Sequence, residues 1–125
     1  MALIPSSLVE VKRVRGKGRG VFARCDIPEG TEIERVPVLV LPVDEVHGTR
    51  LATHCFLWGT GTVALPLGYG ALYNHSYSPN AEYRDLAPQM KRYVALRDIG
   101  RGEEITINYN GSPEDRAGVP FPVHE

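Results

Sequence analysis

The chemistry-bearing residues of this chain fall in a few short stretches. ALYNHSYSPNAEY (71–83) gathers Asn74, His75, Ser76 and Asn80 among three tyrosines, with Pro79 fixing the bend before Asn80. It has the periodicity of neither a helix nor a strand. Its amides, imidazole and hydroxyls are dense, compact hydrogen-bond donors and acceptors. On turn chemistry alone, an exposed Asn/Ser/Pro turn would use the same residues. GKGRG (16–20) lets backbone N–H groups approach a charged ligand, because Gly18 and Gly20 carry no Cβ. A nucleotide-phosphate loop would need a following helix and a Lys-Ser/Thr ending, and neither is present; a flexible basic hairpin is the other reading. GEEITINYNG (102–111) places Tyr109 after an alternating run. No metal site is expected. His47, His54, Cys55, His75 and His124 include no pair at the spacing of a structural zinc site.

The elements that must hold these residues read as mostly β. LVEVKRV (8–14) alternates, RGKGRG (15–20) is expected to be a loop, and VFA (21–23) is a short apolar run. TEIERVPVLVLP (31–42) is rich in β-branched residues, with Pro37 suggesting an edge or a break. Residues 43–58 are ambiguous between a short helix and an irregular lid. TVALPLGYG, AEYRDL, KRYVALRDI and EEITINY are further strands, the middle two joined by a turn near Pro88. CDIPEGTEIERV (25–36) and RDIGRGEEITIN (97–108) share Asp-Ile-x-x-Gly-x-Glu-Ile. A common β-turn solution accounts for such an echo, which also suggests two similar small β units.

The 125 residues imply one domain. With 13 Gly and 10 Pro, short elements and many turns are expected rather than long helices. A formal net charge of -1 gives no global pull toward nucleic acid or an anionic membrane, and RVRGKGR is only a short basic stretch without patterned aromatics. No apolar run is long enough to span a bilayer, and MALIPSSLVEVKR lacks the form of a signal peptide. Cys25 and Cys55 are read as reduced thiols of an intracellular protein.

GKGRGVFA, GYGALYNHSYSPNA and GEEITINYNG, in that order, resemble the three signatures of SET-domain protein lysine methyltransferases. Gly-x-Gly and Gly-Glu-Glu-Ile are weak alone. Asn-His-Ser followed by Pro-Asn is strong, and the ordered trio stronger. The resemblance covers about residues 8 to 111, and the minimal length resembles the short viral and bacterial members. It implies a β-clip-like SET fold of small curved sheets with a C-terminal pseudoknot and few short helices. Residues 1–111 would form the SET domain, and 112–125 a short tail completing or covering the site.

The resemblance also implies S-adenosylmethionine as cofactor and a protein or peptide lysine as acceptor. Lys17, Gly18, Arg19 and Gly20 would line the cofactor site, and Asn74 and His75 would contact it mainly through backbone. Tyr109 matches the principal catalytic tyrosine and would also touch the cofactor. Tyr83 matches a channel tyrosine, while Tyr73 is expected to pack beside the Asn-His-Ser loop. A neutral amine would attack the methyl group in line, so alignment at about 3 Å in a preorganised channel carries the catalysis.

Two departures matter. Many relatives carry a tyrosine just before the segment matching FLW (56–58). Here His54 and Cys55 stand where that tyrosine would be expected; the resemblance implies that they would wall the channel with Phe56 and Tyr83, His54 as a polar replacement, or that the channel is altered. No cysteine follows Cys55, so the zinc cluster that completes the channel in larger relatives is absent. Phe121, between Pro120 and Pro122, is a candidate aromatic lid, and a two-fold homodimer could complete the site instead. The alternative to an enzyme is a non-catalytic SET-fold module that binds a peptide or the cofactor.

Overall fold

The computed structural model describes residues 5–16, 18–119 and 123. Nine strands run in chain order as β1 (Val9–Val14), β2 (Gly18–Ala23), β3 (Glu32–Pro42), β4 (Phe56–Leu57), β5 (Thr62–Pro66), β6 (Asn74–His75), β7 (Ala81–Leu86), β8 (Met90–Ala95) and β9 (Glu104–Ile107). They form a four-stranded sheet in the order β1-β2-β9-β6 and a five-stranded sheet in the order β4-β5-β3-β8-β7. The fold is mostly β, as the sequence leads one to expect. The stretch 43–58 forms two 3-10 turns, Val43–Glu45 and Arg50–His54, before β4. Among the described residues no helix is long and apolar enough to cross a membrane.

Two expectations are corrected. Gly18–Gly20 do not lie in a loop; they open β2, paired to β1 as Val14↔Gly18, Arg13↔Arg19 and Lys12↔Gly20. Lys17 lies outside the described residues. Pro37 neither ends β3 nor puts it at an edge. β3 pairs with β8 from Glu32 to Pro37 and with β5 from Val38 to Pro42. Pro37, which has no N–H to give a ladder, sits where the strand changes partner, and its carbonyl accepts from Leu67 N–H at 3.0 Å.

The internal echo is a built junction. Ile27 and Ile99 exchange both backbone hydrogen bonds at 2.8 Å. Asp26 accepts from the N–H of Arg101 and Asp98 from that of Glu29, each at 2.9 Å. The two Asp-Ile-x-x-Gly units therefore cap each other reciprocally, and Ile27 and Ile99 are both buried between them. This junction ties the two sheets together.

Register decides what faces the core. On β8 the period of two puts Lys91, Tyr93 and Ala95 on one face. Across β7 they oppose Asp85, Tyr83 and Ala81; across β3, Val36 opposes Lys91 and Glu34 opposes Tyr93. One face thus carries a row of Glu34, Tyr93 and Tyr83 beside a row of Val36, Lys91 and Asp85.

Candidate active site

The polar segment 71–83 serves the backbone first. Asn80 donates to the Glu104 carbonyl at 2.8 Å and accepts from Thr106 N–H at 2.9 Å. His75 Nδ1 accepts from Tyr109 N–H at 3.0 Å, so that nitrogen carries no proton. Asn74 Nδ2 donates to the Arg19 carbonyl at 2.9 Å and to Glu104 at 2.7 Å, joining β2, β6 and β9. Ser76 Oγ accepts from Ser78 N–H. These bonds surround the parallel pairing of β6 with β9, Asn74↔Thr106 and His75↔Ile107.

Gly20 is required by that junction. A Cβ there would lie 2.5 Å from Glu104 Oε2 and 2.9 Å from Asn74 Nδ2. Gly18, at φ 82°, has nothing within 4 Å of where its Cβ would stand. The backbone is therefore open to a ligand on one side of Gly18 and packed against β6 and β9 at Gly20. This arrangement fits a small ligand seated against the β1–β2 turn and β6.

Tyr109, just past β9, lies at the centre of a chain of phenols. Its hydroxyl donates to the Tyr73 carbonyl. The Tyr83 hydroxyl donates to the Tyr109 carbonyl at 3.0 Å. The Tyr73 hydroxyl donates to Glu34 at 2.8 Å. Phe56 packs edge-on to Tyr83, centroids 4.8 Å apart, and 5.2 Å from Tyr109. Burial pushes the Tyr83 hydroxyl up to about 12 and raises Tyr109 further. Both stay neutral phenols near pH 7. A phenol oxygen that donates inward still has lone pairs with which to accept from an amine N–H.

The structure thus brings together Tyr83, Tyr109 and Phe56 in one cluster, and Gly18, Arg19, Gly20, Asn74 and His75 at the neighbouring strand junction. His54 is exposed, with Nδ1 at 3.0 Å from the Ala71 carbonyl. Cys55 is half-buried, its thiol raised by burial. Phe121 lies outside the described residues.

The SET domain family model matches residues 18–110. This chain belongs to the SET-domain protein lysine methyltransferase family. As a SET-domain chain it is an enzyme of the protein lysine methyltransferase class. It is 38% identical over 108 residues to a Schizosaccharomyces pombe protein named histone-lysine N-methyltransferase, H3 lysine-37 specific, covering 82% of this chain and 74% of that protein. It superposes with a TM-score of 0.70 and 28% identity on a Plasmodium falciparum crystal structure described as a candidate histone methyltransferase, covering 86% of this chain and 95% of that one.

Two residues of this SET domain escaped the sequence reading, Glu34 and Lys91. Both are charged, and both are in phase with buried neighbours, Glu34 with Val36 and Val38, Lys91 with Tyr93 and Ala95. That phase is the signal that would have found them. Glu34 is 4% exposed and accepts from Tyr69 N–H at 2.9 Å as well as from Tyr73. Tyr73 in turn stacks on Tyr93 at 4.4 Å. Glu34 therefore anchors the segment that presents the Tyr73 carbonyl to Tyr109.

Burial raises the Glu34 carboxyl above its ordinary 4.5, against the lowering effect of its two hydrogen bonds. The folded state then holds the proton more tightly than the unfolded one. That contribution to stability is present below pH 4.5 and is lost as pH rises through the folded value. Glu34→Gln cannot ionise and should lose this slope. Urea midpoints should show the variant gaining on the parent as pH rises above 4.5. Parallel midpoints over that range would show that Glu34 does not titrate as its burial demands.

Proposed function

We propose that this chain is an S-adenosylmethionine-dependent N-methyltransferase acting on a lysine of a basic protein, with a histone tail as the first substrate to test. The observation that carries this reading is the Phe56–Tyr83–Tyr109 ring cluster beside the open backbone of Gly18. Gly18, Arg19 and Gly20 would hold the cofactor with the backbone of Asn74 and His75, and Lys17 would lie at its methionine end. Bound S-adenosylmethionine supplies an electrophilic methyl group and a neutral thioether leaving group. Tyr109 orients the acceptor amine, with Tyr83 bracing the Tyr109 carbonyl. Phe56 and Cys55 wall the channel. A histone lysine is the substrate named for the fission-yeast relative.

The same reading carries residues 1–111 as the catalytic domain and 112–125 as a covering tail, with Phe121 as its lid. Asn108 and Asn110 donate to the Asp115 and Ala117 carbonyls, and Tyr77 donates to Ala117, which supports a tail laid across the Asn-His-Ser segment in a knot-like crossing. Leu57, 88% exposed on the edge strand β4, supports a two-fold partner or a peptide on that side. An intracellular setting, nuclear if the substrate is a histone, follows from the same assignment.

A second reading is favoured by His54. By the resemblance a channel tyrosine would stand where His54 and Cys55 are, and His54 Nδ1 lies 3.0 Å from the Ala71 carbonyl, which would suit a module that binds without transferring. Calorimetric titration with S-adenosylmethionine and with its demethylated product, followed by methyl transfer to histones, separates the two. One-to-one binding with transfer is expected, and cofactor at 100 times its Kd should add about 2.7 kcal/mol of stability. Binding without transfer would select the module. Binding of neither ligand would overturn the cofactor assignment.

A further inference from the structure

The rings of the candidate lysine site already hold a cation. Lys91 Nζ lies 4.1 Å from the Phe56 ring centroid and 3.9 Å from that of Tyr83. The Lys91 side chain is fully buried, at 0% exposure, and its Nζ is 2.6 Å from Asp85 Oδ1, whose side chain is 43% exposed. Phe56 and Tyr83 contact each other, and Phe56 also contacts Tyr109. Lys91 therefore stands one ring away from the phenol assigned to orient the substrate amine.

We propose that Lys91 is a charge-selecting residue of the substrate site: its ammonium, seated on Phe56 and Tyr83, makes those rings a poor host for a second cation and favours entry of the neutral, nucleophilic amine. This rests on the methyltransferase reading above. An aromatic wall alone attracts a lysine ammonium. That attraction would hold the substrate in the form without a lone pair. A buried cation on the same rings opposes it by like-charge repulsion. Burial lowers the Lys91 ammonium below its ordinary 10.5 and Asp85 opposes that, so Asp85 keeps Lys91 charged while the ammonium is the end of the pair that lies on the rings. Methylated lysine is also a cation, so the same repulsion speeds its release.

The other ionisable groups around Lys91 do not take this role. Tyr83 and Asp85 face it from β7, Tyr93 lies beside it on β8, Glu34 lies on β3, and Tyr109 follows β9. The three phenols are raised by burial and stay neutral. Glu34 is held by Tyr69 and Tyr73. His54 and Cys55 precede Phe56, with His54 turned to the Ala71 carbonyl.

The test compares the parent, Lys91→Met and Asp85→Asn. Methyl transfer to purified histone H3 is followed against pH, and the affinity of each protein for a trimethyllysine H3 peptide is measured by titration. Lys91→Met keeps an apolar stem and removes the charge. Its kcat/KM profile should move to higher pH by on the order of one unit, and the trimethyllysine peptide should bind roughly tenfold more tightly. Asp85→Asn removes the group that holds the buried ammonium charged, so it should move the profile to higher pH, in the same direction as Lys91→Met. Parental profiles and parental peptide affinity in both variants would overturn the proposal and leave Lys91 as core filler. If Lys91→Met fails to fold, Asp85→Asn decides alone: an alkaline shift supports the proposal and an unmoved profile overturns it. If the parent transfers no methyl group, the methyltransferase reading fails, and the change in peptide affinity still decides for or against Lys91.

Discussion

Tyr109→Phe is expected to lower kcat by about 100- to 1000-fold while leaving affinity for S-adenosylmethionine within about twofold. The substitution is a clean one here. The ring is held by Phe56 and His75, and the backbone N–H by His75 Nδ1, none of which involves the hydroxyl. The variant should therefore keep the turn out of β9 and the junction with β6. It loses the hydroxyl proposed to steer the acceptor amine. It also removes the donor that the phenol gives to the Tyr73 carbonyl. That costs about 1 to 3 kcal/mol of stability, which denaturant titration would read separately. Single-turnover methyl transfer at saturating cofactor is the deciding measurement. A parental rate would remove Tyr109 from the catalytic assignment. A rate loss matched by an equal loss of cofactor affinity would make it a structural residue of the cofactor site instead.

How much of this was legible in the sequence depends on what each residue answers to. Strands β7, β8 and β9 were readable because a period of two leaves a local trace, and the turn near Pro88 is marked by its own chemistry. The role of Asn80 and His75 as partners of buried backbone was legible only through the resemblance, whose chain crossing leaves such groups outside regular ladders, because turn chemistry alone would use the same residues. Their partners on β9, roughly 25 to 35 residues away, were not, because a sequence carries no distances. Glu34 and Lys91 were missed for a single physical reason. A charge in an alternating strand is normally read as the solvent face, and only tertiary partners, Tyr69 and Tyr73 for one, Asp85 and two rings for the other, make burial tolerable. The stretch 43–58 was opaque because its turns are closed by local bonds, such as His47 N–H to the Val43 carbonyl at 2.9 Å, which leave no hydrophobic period. Gly18–Gly20 misled because glycine permits a loop without requiring one; the register with β1 settled it.

The same logic makes Asn80→Ala the most damaging single change expected outside the ring cluster, with a stability loss of about 3 kcal/mol. Asn80 is 2% exposed. Its amide donates to the Glu104 carbonyl at 2.8 Å and to Glu103 at 3.1 Å, and its carbonyl accepts from Thr106 N–H. Alanine would leave two backbone groups of β9 without these partners, in a strand that already pairs with β2 and β6 on its two sides. Asn80→Asp would keep the acceptor for Thr106 but set a carboxylate against the Glu104 carbonyl and Glu103. Its loss at neutral pH should match or exceed that of alanine and shrink as pH falls. Because β9 leads straight into Tyr109, transfer should weaken with stability rather than independently of it. Urea denaturation of both variants beside the parent reads the effect. A loss below about 1 kcal/mol for alanine would mean that the junction tolerates unpaired strand groups. The polar side chains of 71–83 would then answer to a bound ligand rather than to the backbone they surround.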